Sequence, residues 1–519
     1  MKTNSDRHMG LWVLLSTILA SSMAFIDGSA LNVALDALQR DLGATGAQLL
    51  WIVNAYLLSL ASLILLGGSL GDKYGRKRIF GIGIAVFAAS SFVCGISQSV
   101  DFLIAARVVQ GVGGALMVPG SLALISASFP PERRGSAIGT WSSFSTLTTL
   151  SGPALGGVLA SLGLWRFVFF INMPLAVISL LALSHVPESR DETSSRELDI
   201  PGTVLVALGL AGLTYGAIEL GNTATGNTAI GVVSLIIGFA GLVAFVFVEA
   251  RSSHPMVSLS LFRSRTFTGT NAMTAFLYGA LSGVFFFFPL VLIQAQGYSA
   301  AIAGLTALPF TIILTIMSPI MGRLVDKIGP RLLLTIGPAL VAAGFLLLSL
   351  PGVGNGPSSY WWTYFPAIIV VGLGMGVTVT PLTTAVMGSV ATQHAGIASG
   401  INNAVTRSAQ VLALAGLGAV VLAVFSSMLT ARLGPMGLPA NAAHSIIAGA
   451  SKLGNTPVPP SLSHELATEV TSAIKVSFVG AFRVLALIGV GMALISATLS
   501  WLLLQPVAST KAAAAPQAA

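Results

Sequence analysis

About fourteen stretches of roughly twenty mainly apolar residues run through this chain, each long enough to cross the ~30 Å hydrocarbon core of a bilayer as a helix. They fall near 11–34, 49–71, 79–98, 102–125, 137–161, 166–185, 201–220, 229–249, 268–293, 301–323, 331–350, 362–388, 396–425 and 478–503. None alternates apolar and polar residues in the short segments that a membrane β-barrel requires. Only 8 % of the 519 residues are charged, against about 25 % in a soluble domain. The single cysteine, Cys94, excludes a disulfide scaffold. The net charge of +8 does not describe a nucleic-acid surface, because the cations sit between the apolar runs. The composition is that of an all-α, multi-pass membrane protein.

Loop cations orient such a chain. Lys73, Arg76, Lys77 and Arg78 follow span 2, Arg133 and Arg134 follow span 4, Arg251, Arg263 and Arg265 follow span 8, and Arg323, Lys327 and Arg331 follow span 10. The alternate loops are poor in Lys and Arg, so even-numbered spans are expected to end in the cytoplasm, with both termini there too. Lys2 and Arg7 before an apolar run imitate a signal peptide, but the run is too long and contains Asp27, so it reads as span 1. The segment 426–477 reads as a long external loop whose stretch Leu462–Ile474 has the pattern of an amphipathic surface helix, and the Ala-rich tail 506–519 as disordered.

The loop Gly68-Ser-Leu-Gly-Asp72-Lys-Tyr-Gly75-Arg76-Lys-Arg78 has a weaker copy at Gly322–Arg331, placing Asp72 and Asp326 half a chain length apart. Repeated halves are a common transporter construction. The spans divide as six (1–186), an inserted pair with its flanking loops (187–266) and six more (267–505).

Asp27 is the sharpest single residue. An ionised Asp at a helix centre costs about 2.5–3.5 kcal/mol on insertion scales, so it is expected to face the bundle interior. Counting ~1.5 Å per residue along spans 1 and 4 puts Asp27 and Arg107 at a similar depth. They make either a proton-dependent pair or a permanent ion pair locking the two spans. Asp72 and Asp326 read either as solvated loop charges or as gate latches, each meeting the positive N-terminal end of a helix in the other half, near Ala395-Gly396 and Gly135-Ser136. Gly152-Pro153 kinks span 5 and Gly156-Gly157 lets a neighbour approach. Asn403, Arg407 and Gln410 share one face of span 13, as substrate lining or as interhelical glue; Asn54 is a further lining candidate. Glu219 sits near an outer helix end, where solvation explains it; of Phe285–Phe288 at most one or two could meet a hydrophobic substrate, and lipid contact is the default expectation. No phosphate-cradling loop, metal-ligand spacing or nucleophile–base pattern is present, so neither an enzyme nor an ATP-driven pump is expected, nor any cofactor or metal.

The Gly-x-Leu-x-Asp-x-x-Gly-Arg loop resembles the signature of the major facilitator superfamily. Asp27 with Asn32-Val-Ala-Leu35, Arg107-x-x-Gln110-Gly-x-Gly113, Gly152-Pro-x-x-Gly-Gly157, Trp165-Arg166 and Asn172-x-Pro174 resemble its fourteen-helix drug–proton antiporter branch. Thr148 stands where that branch usually has glycine. The resemblance implies proton coupling through Asp27 and Arg107, a cytoplasmic gate at Gly68, Asp72, Gly75, Arg76 and Asp326, and an antiporter helix at Gly152, Pro153, Gly156 and Gly157. The expected protein is thus a monomeric, proton-coupled exporter of hydrophobic, drug-like compounds in a bacterial inner membrane. A dedicated exporter of one metabolite or antibiotic is the alternative reading, and a non-transporting sensor on the same fold a third. A periplasmic adaptor is a candidate partner for the long loop.

Overall fold

The computed structural model describes residues 2–190, 198–222, 227–253, 255–354, 356–390 and 395–505. The tail expected to be disordered, 506–519, lies outside the described residues. The described residues contain helices, turns and connecting loops but no strand. The long helices are α1 Lys2–Leu42, α2 Gly46–Tyr74, α3 Arg76–Ile96, α4 Val100–Ser128, α5 Pro131–Ser161, α6 Asn172–Ser184, α7 Ile200–Gly221, α8 Thr228–Arg251, α9 Arg265–Gln294, α10 Leu308–Ile328, α11 Pro330–Ser349, α12 Phe365–Gly388, α13 Ala395–Leu433 and α14 His464–Leu503. Short helices at Phe167–Phe170 and Ala300–Leu305 lead into α6 and α10.

Among the described residues, thirteen spans are long and apolar enough to cross a bilayer. The helix outside that set is α5, which has the length (31 residues) but carries the run of Ser and Thr between Thr140 and Ser151. Several of those hydroxyls bond back to carbonyls of their own helix, Ser145 to Trp141 and Thr149 to Ser145, both at 2.8 Å, which removes much of their cost in an apolar setting.

Chain reversals need special backbone at two places that define the ends of the bundle. Between α1 and α2 the turn carries Gly43 at φ 69°, and Thr45 caps α2 with Gln48 returning the bond. Between α2 and α3 the whole connection is Gly75, at φ 110°. We refer to the Gly43 end and the Gly75 end.

Small residues set the helix spacing. With no hydrophobic drive between helices in lipid, close backbone packing supplies the attraction. A methyl added to Gly156 would overlap the Ala30 carbonyl of α1, and one added to Gly152 would overlap the Ser29 side chain. On the other side of α5, Gly157 lies against the Ala300 carbonyl, and Gly304 against the Pro153 carbonyl.

Helices α7 and α8 form a pair docked on the seam between α2 and α13. Gly221 abuts Ala419, the Tyr215 ring lies 6.0 Å from Trp51, and Leu210 packs with Ala61 and Val411. The far side of α8 exposes Ile236, Ile237, Phe239 and Phe247, a face suited to lipid.

Two expectations need correction. The segment 426–477 is not one long loop: α13 runs on to Leu433 and α14 starts at His464, so the stretch expected as a separate surface helix is mostly the first turns of α14. Between them lie a helix, Ala440–Gly449, and a 3₁₀ turn, Ala450–Asn455. Phe286, Phe287 and Phe288 do not face lipid; each is buried in the core, with Phe288 stacked on Phe482.

Candidate functional site

Asp27 on α1 and Arg107 on α4 meet, both fully buried. The Arg107 Nη1 donates to Asp27 Oδ2 at 2.5 Å and to Gln110 Oε1 at 2.7 Å, while Gln110 Nε2 donates to Asp27 Oδ1 at 2.9 Å. Both carboxylate oxygens are therefore occupied. Arg107 Nε reaches the Ile52 carbonyl of α2 at 3.1 Å, and its guanidinium lies 4.4 Å from the Tyr56 ring centroid. The Cys94 thiol of α3 points to Gln110 Oε1 at 3.6 Å. One cluster thus ties α1, α2, α3 and α4 together around a single ion pair.

Such a pair is stable only because every group in it has a partner. Removing one member of a buried pair costs roughly 3–5 kcal/mol, since the other is left charged and dry. The cluster is therefore a charge-compensated joint among four helices, whose packing depends on the pair staying intact. Depth along the helices predicted that Asp27 and Arg107 could meet. Gln110 and Cys94 as members of the cluster were not predicted, although the i, i+3 spacing of Arg107 and Gln110 carried that signal.

The remaining site residues fall into separate groups. Asp72 and Arg76, four residues apart across the Gly75 turn, pair at 2.8 Å and are half-exposed. Gly68 packs loosely on Pro119. Nothing is described of the Asp326 side chain, and the helix start near Ala395-Gly396 adjoins 391–394, outside the described residues. A partner missed from the sequence is Glu188, in the segment after α6. Its carboxylate accepts from the backbone N–H of Lys77 at 2.9 Å and of Arg78 at 3.1 Å, capping α3 at its positive end. A side chain at residue 75 would strike that carboxylate at 2.7 Å, a second reason for glycine there.

On α13, Arg407 Nη1 donates to Gln410 Oε1 at 3.3 Å, whereas Asn403 is exposed and bonds back to the Ser399 carbonyl. Asn54 is fully buried with neither amide atom partnered. It lies on the face of α2 that packs on α13, between Leu50 against Gly418 and Leu65 near Gly400. Glu219 accepts from the Asn227 N–H at 2.7 Å, a structural role at the α7–α8 turn.

The hydrogen bonds described between the first six helices and the last six, connecting segments included, all lie at the Gly43 end. Asp36 Oδ1 accepts from Gln294 Nε2 at 3.0 Å and Asn455 Nδ2 at 2.9 Å; Gln39 Oε1 accepts from the same two amides at 2.9 and 3.0 Å. At the Gly75 end, the described bonds stay within one group of six, as in Asp72–Arg76 and Glu188 on α3. Among the described residues, then, the two groups of six are bonded to each other at the Gly43 end and not at the Gly75 end.

Comparison with known proteins identifies the family. The family model of the Major Facilitator Superfamily matches residues 17–414. The multidrug resistance protein Stp of Mycobacterium tuberculosis is 34 % identical over 431 residues, covering 82 % of this chain and 78 % of that protein. The tetracenomycin C resistance and export protein of Streptomyces glaucescens is 28 % identical over 494 residues, 94 % of this chain and 90 % of that one. Among solved structures, a bacterial homologue of the human lysosomal transporter Spinster, in an inward-facing and unoccupied conformation, aligns with a TM-score of 0.64 at 17 % identity, over 95 % of this chain and 97 % of that one. With the family model matching most of the chain, and a relative above 30 % identity spanning four fifths of it, the protein belongs to the major facilitator superfamily.

Proposed function

We propose that this protein exports hydrophobic, drug-like compounds across a bacterial inner membrane in exchange for protons, by alternating access. The observation that carries the coupling is the buried Asp27–Arg107–Gln110 cluster, whose carboxylate is fully satisfied in a bundle sealed at the Gly43 end. The cation-rich loop at Gly75 supports reading that end, with both termini, as cytoplasmic, and the bonds across the Gly43 end support reading this packing as the inward-open state. In that state Asp27 is paired with Arg107. Access from outside protonates it, Arg107 loses its counter-charge, and the balance between the two packings shifts. The kinked helix α5 is the moving element: Gly156 lets it slide along α1, and Gly157 and Pro153 meet the Ala300–Leu305 turn of the other half. Asp72, Arg76, Gly68, Gly75 and Asp326 form the cytoplasmic gate, and Asn54, Asn403, Arg407 and Gln410 line the substrate path. The rocking bodies are residues 1–186 and 267–505. The names of relatives that resist or export antibiotics support drug-like cargo.

The test is proton movement in liposomes holding the purified protein, with a panel of lipophilic dyes and drugs. Wild type should release or take up protons when a substrate is added, and Asp27→Asn, which keeps the shape but does not titrate, should not. A mutant that still couples would move the proton site elsewhere. If only one compound in a chemically diverse panel is transported, the dedicated exporter replaces the multidrug reading; the relative named for a single antibiotic keeps that alternative specific.

A further inference from the structure

The 3₁₀ turn between α13 and α14 contains a run of four residues that between them touch α1, α2, α9 and α14. The Lys452 carbonyl accepts from Gln39 Nε2 of α1 at 3.1 Å. The Leu453 side chain is buried and reaches the start of α2, where a methyl on Gly46 would lie 3.2 Å from it. Gly454 is pressed against Gln294 of α9 and Phe478 of α14, so closely that an added methyl would lie 2.6 Å from the Gln294 Cβ. Asn455 Nδ2 donates to both Asp36 and Gln39 of α1. The receiving carboxylate, Asp36, is almost fully buried and is also paired with Arg40. Leu453 is the one described non-glycine residue with positive φ, at φ 56° and ψ −131°. A leucine stays in that conformation only where its surroundings over-determine it.

The placement matters more than the number of bonds. Residues Asp36, Gln39 and Gly46 belong to α1 and α2, whereas Gln294 and Phe478 belong to α9 and α14. The turn therefore straddles the two groups of six at the end where they meet. Asp36, Gln39 and Gln294 are buried and Asn455 is half-buried, so the carboxylate and the three carboxamides satisfy one another where water has little access.

We propose that residues Lys452–Asn455 are a built-in stopper for the Gly43 end, with Asp36 and Gln39 as the positioning residues that receive it. When the stopper is seated, α1 is bonded to α9 and the path is closed at this end. Opening requires Asn455 to leave Asp36 and Leu453 to leave Gly46. The proposal rests on the two-ended transport cycle above and adds to it the segment that times opening at one end. It also gives the segment between α13 and α14 a role within its own bundle.

The experiment uses the full chain in nanodiscs with Ala300→Cys as reporter. Ala300 is nearly buried, and its carbonyl lies against Gly157 of α5, so parting of the halves at this end exposes it. Labelling by a charged maleimide is timed, and the parent chain, whose native Cys94 is fully buried, is run alongside. Asn455→Ala, Asp36→Ala and Leu453→Gly should each raise the labelling rate of Cys at 300 by roughly tenfold or more, since each loses several tight contacts or hydrogen bonds. Lys452→Ala should label at the original rate, because only the Lys452 carbonyl is used. The proposal is overturned if Asn455→Ala and Asp36→Ala label no faster than the reporter alone. It is equally overturned if native Cys94 becomes reactive in step with residue 300, which would mean general loosening of the fold. Labelling needs neither substrate nor proton gradient. A stopper effect without proton-coupled transport would retain this proposal and sink the exporter, and the reverse result would do the opposite.

Discussion

The two ends of the bundle are built on different logic. At the Gly43 end, side-chain amides from α9 and from the turn before α14 converge on α1, and buried groups bond across the two groups of six helices. At the Gly75 end, charged side chains are more numerous, but the described ones are satisfied within their own group of six: Asp72 pairs with Arg76 four residues on, Glu188 accepts from the first amides of α3, and Arg331 meets the Trp501 carbonyl and ring. The richer charge at the Gly75 end does not make it the tighter end. What seals an end is whether a polar group finds its partner on the other body, because only those bonds resist the two bodies moving apart.

The largest effect is expected where both ends depend on one contact. Arg107→Ala leaves Asp27 buried and unpaired, so it should cost about 3–5 kcal/mol and abolish substrate-driven proton movement; thermal melting in detergent and the liposome assay check the two parts. Gly157→Val attacks the closed end alone. Its side chain meets the Ala300 carbonyl, and overpacking of about 1–3 kcal/mol should fall on the sealed packing, raising reagent access at this end with a smaller change in melting. Unchanged access would mean that α5 does not help to seal it. Glu188→Ala tests the other end. It removes a cap worth about 0.5–2 kcal/mol from α3, which should speed hydrogen exchange at the first amides of α3 and leave labelling at Ala300 unaltered. The smallest effect belongs to Arg166→Ala. Its pair with Asp41 is half-exposed and should be worth about 1 kcal/mol or less, diminishing in high salt, so a larger drop in melting temperature would credit its stacking on Trp165 instead.

Much of this architecture was legible in the residue order. The helix positions follow from runs of apolar residues, since burial preference is a property each residue carries with it. Asp27 and Arg107 could be placed at one depth by counting along two helices of opposite direction. The span expected at 137–161 is a helix, α5, although hydroxyls bonded to their own helix make it less apolar than its neighbours. Other partners had no local signal. Glu188 lies more than a hundred residues from the amides it caps, and Asn455 more than four hundred from Asp36. The limits of α13 and α14 were misjudged because a helix packed on its own protein continues beyond the point where lipid would end it.

By itself, then, the sequence determined that this chain crosses a membrane many times, which loops carry the cations, and that an acid in α1 has to be buried and compensated. Those are local facts of hydropathy, helix rise and charge. Only the tertiary structure decided that Gln110 completes the ion pair, that the turn at Lys452–Asn455 folds back on α1, and at which end the described bonds cross between the two groups of six. The physical reason is that a hydrogen bond between distant segments depends on how two packed bodies meet. Packed bodies can meet in more than one way at similar free energy, and a residue pattern common to all of those ways does not distinguish among them.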